Sequence, residues 1–295
     1  MRGTGTYPQQ RPPSLFADAP EEAARLLLQH RLFTSALGRL FPGDLDLSRI
    51  RAVLDLGCGP GGWVLDVART YPAIKRIIGI DSRATMIEMA QLQSLAEGSA
   101  GKGLPAVEFR ILDVRQPLRF SRSFDYIRGQ SLASLLVGED WPHLVRECLR
   151  LLRPGGVLCL VEAELAGTTS AAFEEFSSCF VRAFHQTRRS LVPGDLHVGI
   201  TPVLKRLLQE AGFQQVEQHA SVLNFSWGER TYEAMYQEVL VGLKLLQPFL
   251  IDTGIATLQE LDHLYQQILL EMRSDQFCGV MFLLMTWGKK PPPSA

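Results

Sequence analysis

The sequence predicts an α/β protein whose mostly parallel sheet is covered by helices on both faces. From Arg51 onward, short and almost continuously apolar runs alternate with amphipathic segments. Runs of that kind suit strands buried on both faces, and their alternation with helices makes the sheet parallel. A glycine-rich turn, residues 57–62, joins the first of these strands to the helix after it.

The elements follow in order. Residues 1–13 are polar, contain Pro8, Pro12 and Pro13, have no apolar core for a signal peptide, and read as disordered. Asp18-Ala19-Pro20-Glu21 starts a helix, with Asp18 as its N-cap and Pro20 in its first turn. That helix is expected to run to about Leu40 and to stop at Pro42–Gly43. Ala52–Leu56, Arg76–Ile80, Val107–Leu112, Phe124–Ile127 and Val157–Glu162 read as strands, and residues 61–71, 83–96 and 140–152 as helices between them. Residues 171–190 read as a helix. Pro202–Ala211 reads as another, ended by Gly212, before a strand near Val216–Leu223. Two long amphipathic helices come next. Tyr232, Met235, Tyr236 and Val239 share a face of the first, and Leu258, Leu261, Tyr265 and Ile268 a face of the second. Thr257 and Glu260 form a capping box for the second. A last strand, Phe277–Trp287, closes the sheet.

Bulk properties narrow the function. The chain of 295 residues can bury a substantial core. A formal charge of −1 argues against a broad basic face, so no nucleic-acid partner is expected. Cys58, Cys148, Cys159, Cys179 and Cys278 are widely spaced and form no C-x-x-C pair. That argues against a disulfide framework or zinc site and for a reducing, cytoplasmic setting. The apolar run Cys278–Trp287 is too short to span a bilayer, so no membrane role is expected.

The most informative stretch is Val53-Leu54-Asp55-Leu56-Gly57-Cys58-Gly59-Pro60-Gly61-Gly62. Gly57, Gly59 and Gly62 satisfy G-x-G-x-x-G, which alone suggests a dinucleotide site equally well. Asp55 tilts the reading, because a carboxylate at that strand end would repel a pyrophosphate. S-adenosylmethionine (SAM) carries no phosphate, and its sulfonium and ammonium welcome an acid. Asp81 ends the next strand and can accept from both ribose hydroxyls, a feature that nicotinamide enzymes share. Asp113 ends the third and can accept from the adenine amino group, with Val114 supplying a backbone N–H and a surface for the ring.

Taken together these residues resemble the class I SAM-dependent methyltransferases. Val53–Gly62 is similar to the family's first motif, and Gly79-Ile80-Asp81-Ser82 to its second. Leu112-Asp113-Val114 is similar to the adenine-contacting motif. Ser123-Phe124-Asp125 resembles the start of the fourth strand, and Leu151-Leu152-Arg153-Pro154-Gly155-Gly156 the turn before the fifth. Leu207–Phe213 resembles the helix end before the sixth. Within the class, the nearest likeness is to ubiquinone-biosynthesis-type methyltransferases acting on small molecules. Glu22, Arg25 and Gln29 lie in a helix similar to their N-terminal cover. The resemblance implies a Rossmann-like, seven-stranded sheet with an antiparallel last strand and a helical cover, with no metal. It places SAM at Asp55, Gly57, Cys58, Gly59, Asp81, Ser82, Asp113 and Val114, with S-adenosylhomocysteine (SAH) as the product; Arg128, just after the fourth strand, reads as a contact to the SAM carboxylate, a contact to an acidic substrate, or a surface charge.

One departure stands out: the family joins its last two strands by a short hairpin, and here residues 228–276 intervene. The expected organisation is a cover at 14–48, a SAM-binding domain at 49–227 with 277–288, and helical insertions at 165–200 and 228–276. The second insertion is expected either to cover the substrate or to form a packing or homodimer element. Methyl transfer is an in-line displacement, so the protein mainly aligns its reactants, worth about 7–11 kcal/mol in the best intramolecular cases. A neutral amine needs no strong base, whereas a phenol or acidic carbon does. His197 is the candidate base, the alternative being a loop histidine that caps the backbone. Gln29, Tyr232 and Tyr236 are candidate contacts to a small, hydrophobic substrate, though the tyrosines also suit a core. His30 reads as either a pocket or a surface residue, and Trp227 as either a pocket wall or a buried anchor. An NAD(P)-dependent dehydrogenase and a non-catalytic SAM-binding protein are the competing readings.

Overall fold

The computed structural model describes residues 14–97, 105–121 and 123–292; the stretch expected to be disordered, 1–13, lies outside them. Among the described residues, eight strands form one sheet: β1 (Ala52–Leu56), β2 (Arg76–Asp81), β3 (Ala106–Ile111), β4 (Phe124–Gln130), β5 (Leu152–Ala163), β6 (Gly167–Thr168), β7 (Gln214–Asn224) and β8 (Gly279–Lys289). Between them run α1 (Pro20–Leu37), α2 (Gly62–Thr70), α3 (Ala84–Ala96), α4 (Asp140–Leu151), α5 (Ala171–Gln186), α6 (Leu204–Glu210), α7 (Tyr232–Asp252) and α8 (Leu258–Met272).

β1 to β5 are parallel in the order β3-β2-β1-β4-β5, and β8 follows, running against β5, β6 and β7. This is the Rossmann-like arrangement with an antiparallel last strand. The apolar strands explain its stability. Val53, Leu54, Leu56, Ile77, Ile78 and Ile80 are fully buried, each contributing about 1.5–3 kcal/mol of transfer free energy. The strand order reverses between β1 and β4, and the carboxyl ends of strands at such a point open a ligand crevice.

Four differences from the sequence reading are local. The sheet has an eighth strand, the two-residue β6, which continues the β5 side of β8 after a break. So short a pairing leaves no periodic signal. The first helix begins after Ala19, not Asp18, and the Asp18 carboxylate instead accepts from the Thr85 N–H at 3.4 Å. The same helix stops at Gly38, whose φ of 66° forms a left-handed cap, before the proline expected to end it. The helix expected over 171–190 ends at Gln186.

Candidate active site

Site geometry starts from the register of β1 and β4, where Asp55 stands directly beside Arg128. Both are buried and form an ion pair at 3.2 Å. Arg128 also donates to Gln130 and lies over the Trp63 ring at 4.7 Å. Burial pushes the Asp55 carboxyl up from its ordinary value, against the pull of Arg128.

The glycine turn sits beside this pair. Gly59 takes a φ of 52°, which favours glycine, and its N–H donates to Asp81 Oδ2 at 3.0 Å. Asp81 is buried, and its Oδ1 accepts from the Arg83 N–H at 3.0 Å and from Arg83 Nε at 3.2 Å. The same device recurs at Asp113, which accepts from both the backbone N–H and the guanidinium of Arg115, each at 2.9 Å. Each of the three acids is therefore paired with an arginine, and two of these pairs are Asp-x-Arg. The sequence reading treated the acids alone.

A continuous groove runs along these strand ends. Asp55, Gly57, Cys58, Gly59 and Arg128 line one part, and Asp81, Ser82, Asp113 and Val114 the other. Gly57 and Arg83 belong to both parts. The cofactor residues named from the sequence are thus brought together. Cys58 packs beneath Gly79, where an added Cβ would meet its sulfur at 2.9 Å, and burial pushes its thiol well up.

An adjoining cavity of about 210 Å³ opens onto the groove across Leu26, Gln29, Arg83, Ser131, Ser134 and Leu135. Phe33 of α1 and Phe180 and Phe184 of α5 form aromatic walls. Gln29 lines both spaces and donates to Glu238 of α7 at 3.2 Å. Arg25 holds Glu22 at 2.6 and 2.8 Å and also pairs with Glu238, tying α1 to α7. His30 is buried rather than on the surface and bridges to Asp66 of α2 at 2.7 Å.

Other candidates lie elsewhere. His197 is exposed and lines neither space; its carbonyl accepts from His185 at 3.0 Å. Tyr232 donates to the Met272 carbonyl at 2.8 Å, joining α7 to α8, and meets the half-exposed Trp227 edge to face. Tyr236 is buried beside it. Residues 228–276 were expected either to cover the substrate or to form a packing or homodimer element; α7 packs against α1 and α8 against α5. Residues 165–200 do reach the cavity, through Leu165, Phe180, Phe184 and Val198.

Among the cavity residues that escaped the sequence reading, one is an acid at a strand end. Glu162, at the end of β5, is buried and accepts from the Leu132 N–H at 2.7 Å. Burial pushes its carboxyl up to about 8; the Leu132 and Ala133 N–H groups oppose this and Glu164 adds to it. The signal was present: an acid closing an apolar strand, the rule that singled out Asp55 and Asp81.

The chain is similar to known proteins. Residues 53–156 match a family described as a methyltransferase domain. The chain is 30% identical over 220 residues to methyltransferase pytC of Aspergillus terreus, covering 73% of this chain and 60% of that protein. It is 30% identical over 177 residues to phosphoethanolamine N-methyltransferase 1 of Triticum aestivum, covering 60% of this chain and 31% of that one. The chain thus spans about three-fifths or less of the length of these relatives. Its fold matches that of Haemonchus contortus phosphoethanolamine N-methyltransferase 2, solved with phosphomonomethylethanolamine and SAH, with a TM-score of 0.53, 16% identity, and 94% of this chain and 58% of that one covered. Residues 53–156 are thus a methyltransferase domain, carried on a Rossmann-like methyltransferase fold.

Proposed function

We propose that this protein moves the methyl group of SAM to O, N or C of a small, hydrophobic organic acceptor and releases SAH. One observation carries the reading: the groove bearing three strand-end acids opens directly into a cavity with aromatic walls. The donor set fits the cofactor. Asp55 sits where a pyrophosphate would be repelled, and Asp81 presents a buried carboxylate to a diol.

When bound, SAM supplies a methyl group already activated on a sulfonium. The remaining work belongs to the chain. Asp55 attracts the ammonium, and Arg128 beside it takes the carboxylate of the amino-acid end. Asp81 accepts from the ribose hydroxyls. Asp113 and Val114 hold the adenine. The walls of α1 and α5 exclude water and keep the acceptor in line with the methyl. The likeness of α1 to the cover of ubiquinone-type methyltransferases supports placing the chain near that subgroup. Four buried, unbridged cysteines support a reducing, cytoplasmic setting. Among the described residues no helix is long and apolar enough to cross a membrane.

Parallel calorimetric titration with SAM, SAH and NAD tests the reading. Binding of the first two without NAD is expected. Binding of NAD alone would replace the methyltransferase by a dehydrogenase.

A further inference from the structure

We propose that Glu162 is the residue that takes the acceptor's proton, and that the acceptor is an aromatic hydroxyl compound. This rests on the methyltransferase reading above. Glu162 accepts from the N–H of Leu132, and the residue before that leucine, Ser131, lines both the groove and the cavity. Glu162 itself lines the cavity. Its carboxyl therefore belongs to the boundary where methyl donor and acceptor must meet.

Glu162 accepts from the Leu132 N–H through Oε1 alone, and the other carboxylates of that cavity are held by more groups. Glu22 is held by the Arg25 guanidinium. Glu164 accepts from the Val198 and Gly199 N–H groups at 2.9 and 3.1 Å and from the Thr201 hydroxyl at 2.8 Å, which fixes the loop before α6. Glu162 is 2% exposed and, among the described residues, forms no ion pair. Groups facing the same space are Glu164 just after β5, Glu22 and Arg25 on α1, and Arg83 after β2. A carboxyl that burial raises to about 8 is a far better proton acceptor than an ordinary one.

The acceptor class follows from the walls. A cavity of about 210 Å³ exceeds the roughly 150 Å³ that holds benzene, so a substituted ring fits between Phe33, Phe180 and Phe184. A neutral amine would need no base there, whereas a hydroxyl must lose its proton. In the step, the oxygen–carbon bond forms as the carbon–sulfur bond breaks, and that bond's electron pair goes to sulfur. The O–H electron pair stays on oxygen and the proton passes to a Glu162 carboxylate oxygen, then to water.

Phenol and aniline serve as probes, with SAH release followed across the pH range around 8 and SAM affinity measured on the same preparations. Phenol should be methylated and aniline not, with the phenol rate climbing as pH rises through about 8. Glu162→Gln should lower that rate by about a hundredfold or more and remove the pH step while SAM binding persists. Glu162→Asp should restore part of both. Faster turnover of aniline, an unchanged rate or profile in Glu162→Gln, or SAM binding with no turnover of phenol would each overturn the proposal. If Glu162→Gln does not fold, the wild-type and Glu162→Asp profiles decide, and a flat profile in both overturns it. Failure of the wild-type protein to bind SAM would instead overturn the methyltransferase reading.

Discussion

The Gly59 N–H donates to Asp81 Oδ2 at 3.0 Å, so the acid at the end of β2 also sets the shape of the glycine turn after β1. A ligand that bonds to Asp81 therefore meets a turn already in place. Asp81→Ala removes a charged acceptor for two hydroxyls, each bond worth about 1.5–3 kcal/mol. A loss of SAM affinity of roughly a hundredfold or more is expected by calorimetry. Asp81→Asn keeps one acceptor oxygen and should fall between the two. Unchanged affinity in Asp81→Ala would remove the ribose assignment.

Arg25 stabilises the cover through charge. Its guanidinium and the Glu22 carboxylate are 4% and 1% exposed, and Glu238 of α7 is 13% exposed. Arg25→Met leaves Glu22 buried without that partner. Breaking a buried pair from one side costs about 3–5 kcal/mol. Denaturant unfolding should show a loss of that order, and Glu238→Gln a smaller one, because Glu22 still holds the arginine. Equal losses in the two variants would mean that the α1–α7 contact, and not the Arg25–Glu22 pair, dominates.

Ser170 links helix capping to the cavity. Its hydroxyl oxygen accepts from the Phe173 N–H at 3.0 Å as the N-cap of α5, and its O–H donates to Glu271 of α8 at 2.5 Å. Ser170→Ala removes both bonds at the start of the helix that carries Phe180 and Phe184. A cost of about 1–2 kcal/mol in unfolding free energy is expected. Amide exchange should quicken in α5 with SAM affinity unaltered. Protection of α5 at wild-type level would mean that its packing on α8 suffices to hold it.

Much of this architecture was legible because single segments specify it. Val53–Leu56 and Ile77–Ile80 are almost continuously apolar, as strands covered on both faces are, and the glycine turn marks the strand that starts the site. The capping box at Thr257 and Glu260 forms as its spacing predicts. What could not be read depends on contacts between distant segments. The face of α7 looks the same whether it packs behind α1 or lines a cavity. The loop holding His197 gives no sign in one dimension that its ring faces water. The arginine partner of Asp55 is a neighbour only through the register of β1 and β4. Arg83 and Arg115, by contrast, stand two residues from their acids and were within reach of a local reading.

Glu162 also leaves a mark on stability that is independent of any acceptor. Burial holds its folded carboxyl at about 8, against an ordinary value near 4.5. Between those values the folded chain keeps a proton that the unfolded chain has released. The slope of unfolding free energy with pH follows protons bound in the unfolded minus the folded state, so this group makes it negative. Its contribution is fully present below about 4.5 and is lost as pH climbs through about 8. Glu162→Gln cannot ionise and has no such slope. Denaturant unfolding of both proteins at a series of pH values should therefore show the variant gaining on the wild type from mildly acidic to mildly alkaline pH. A constant difference between them would mean that Glu162 ionises at an ordinary value, and its suitability as a base would fall with it.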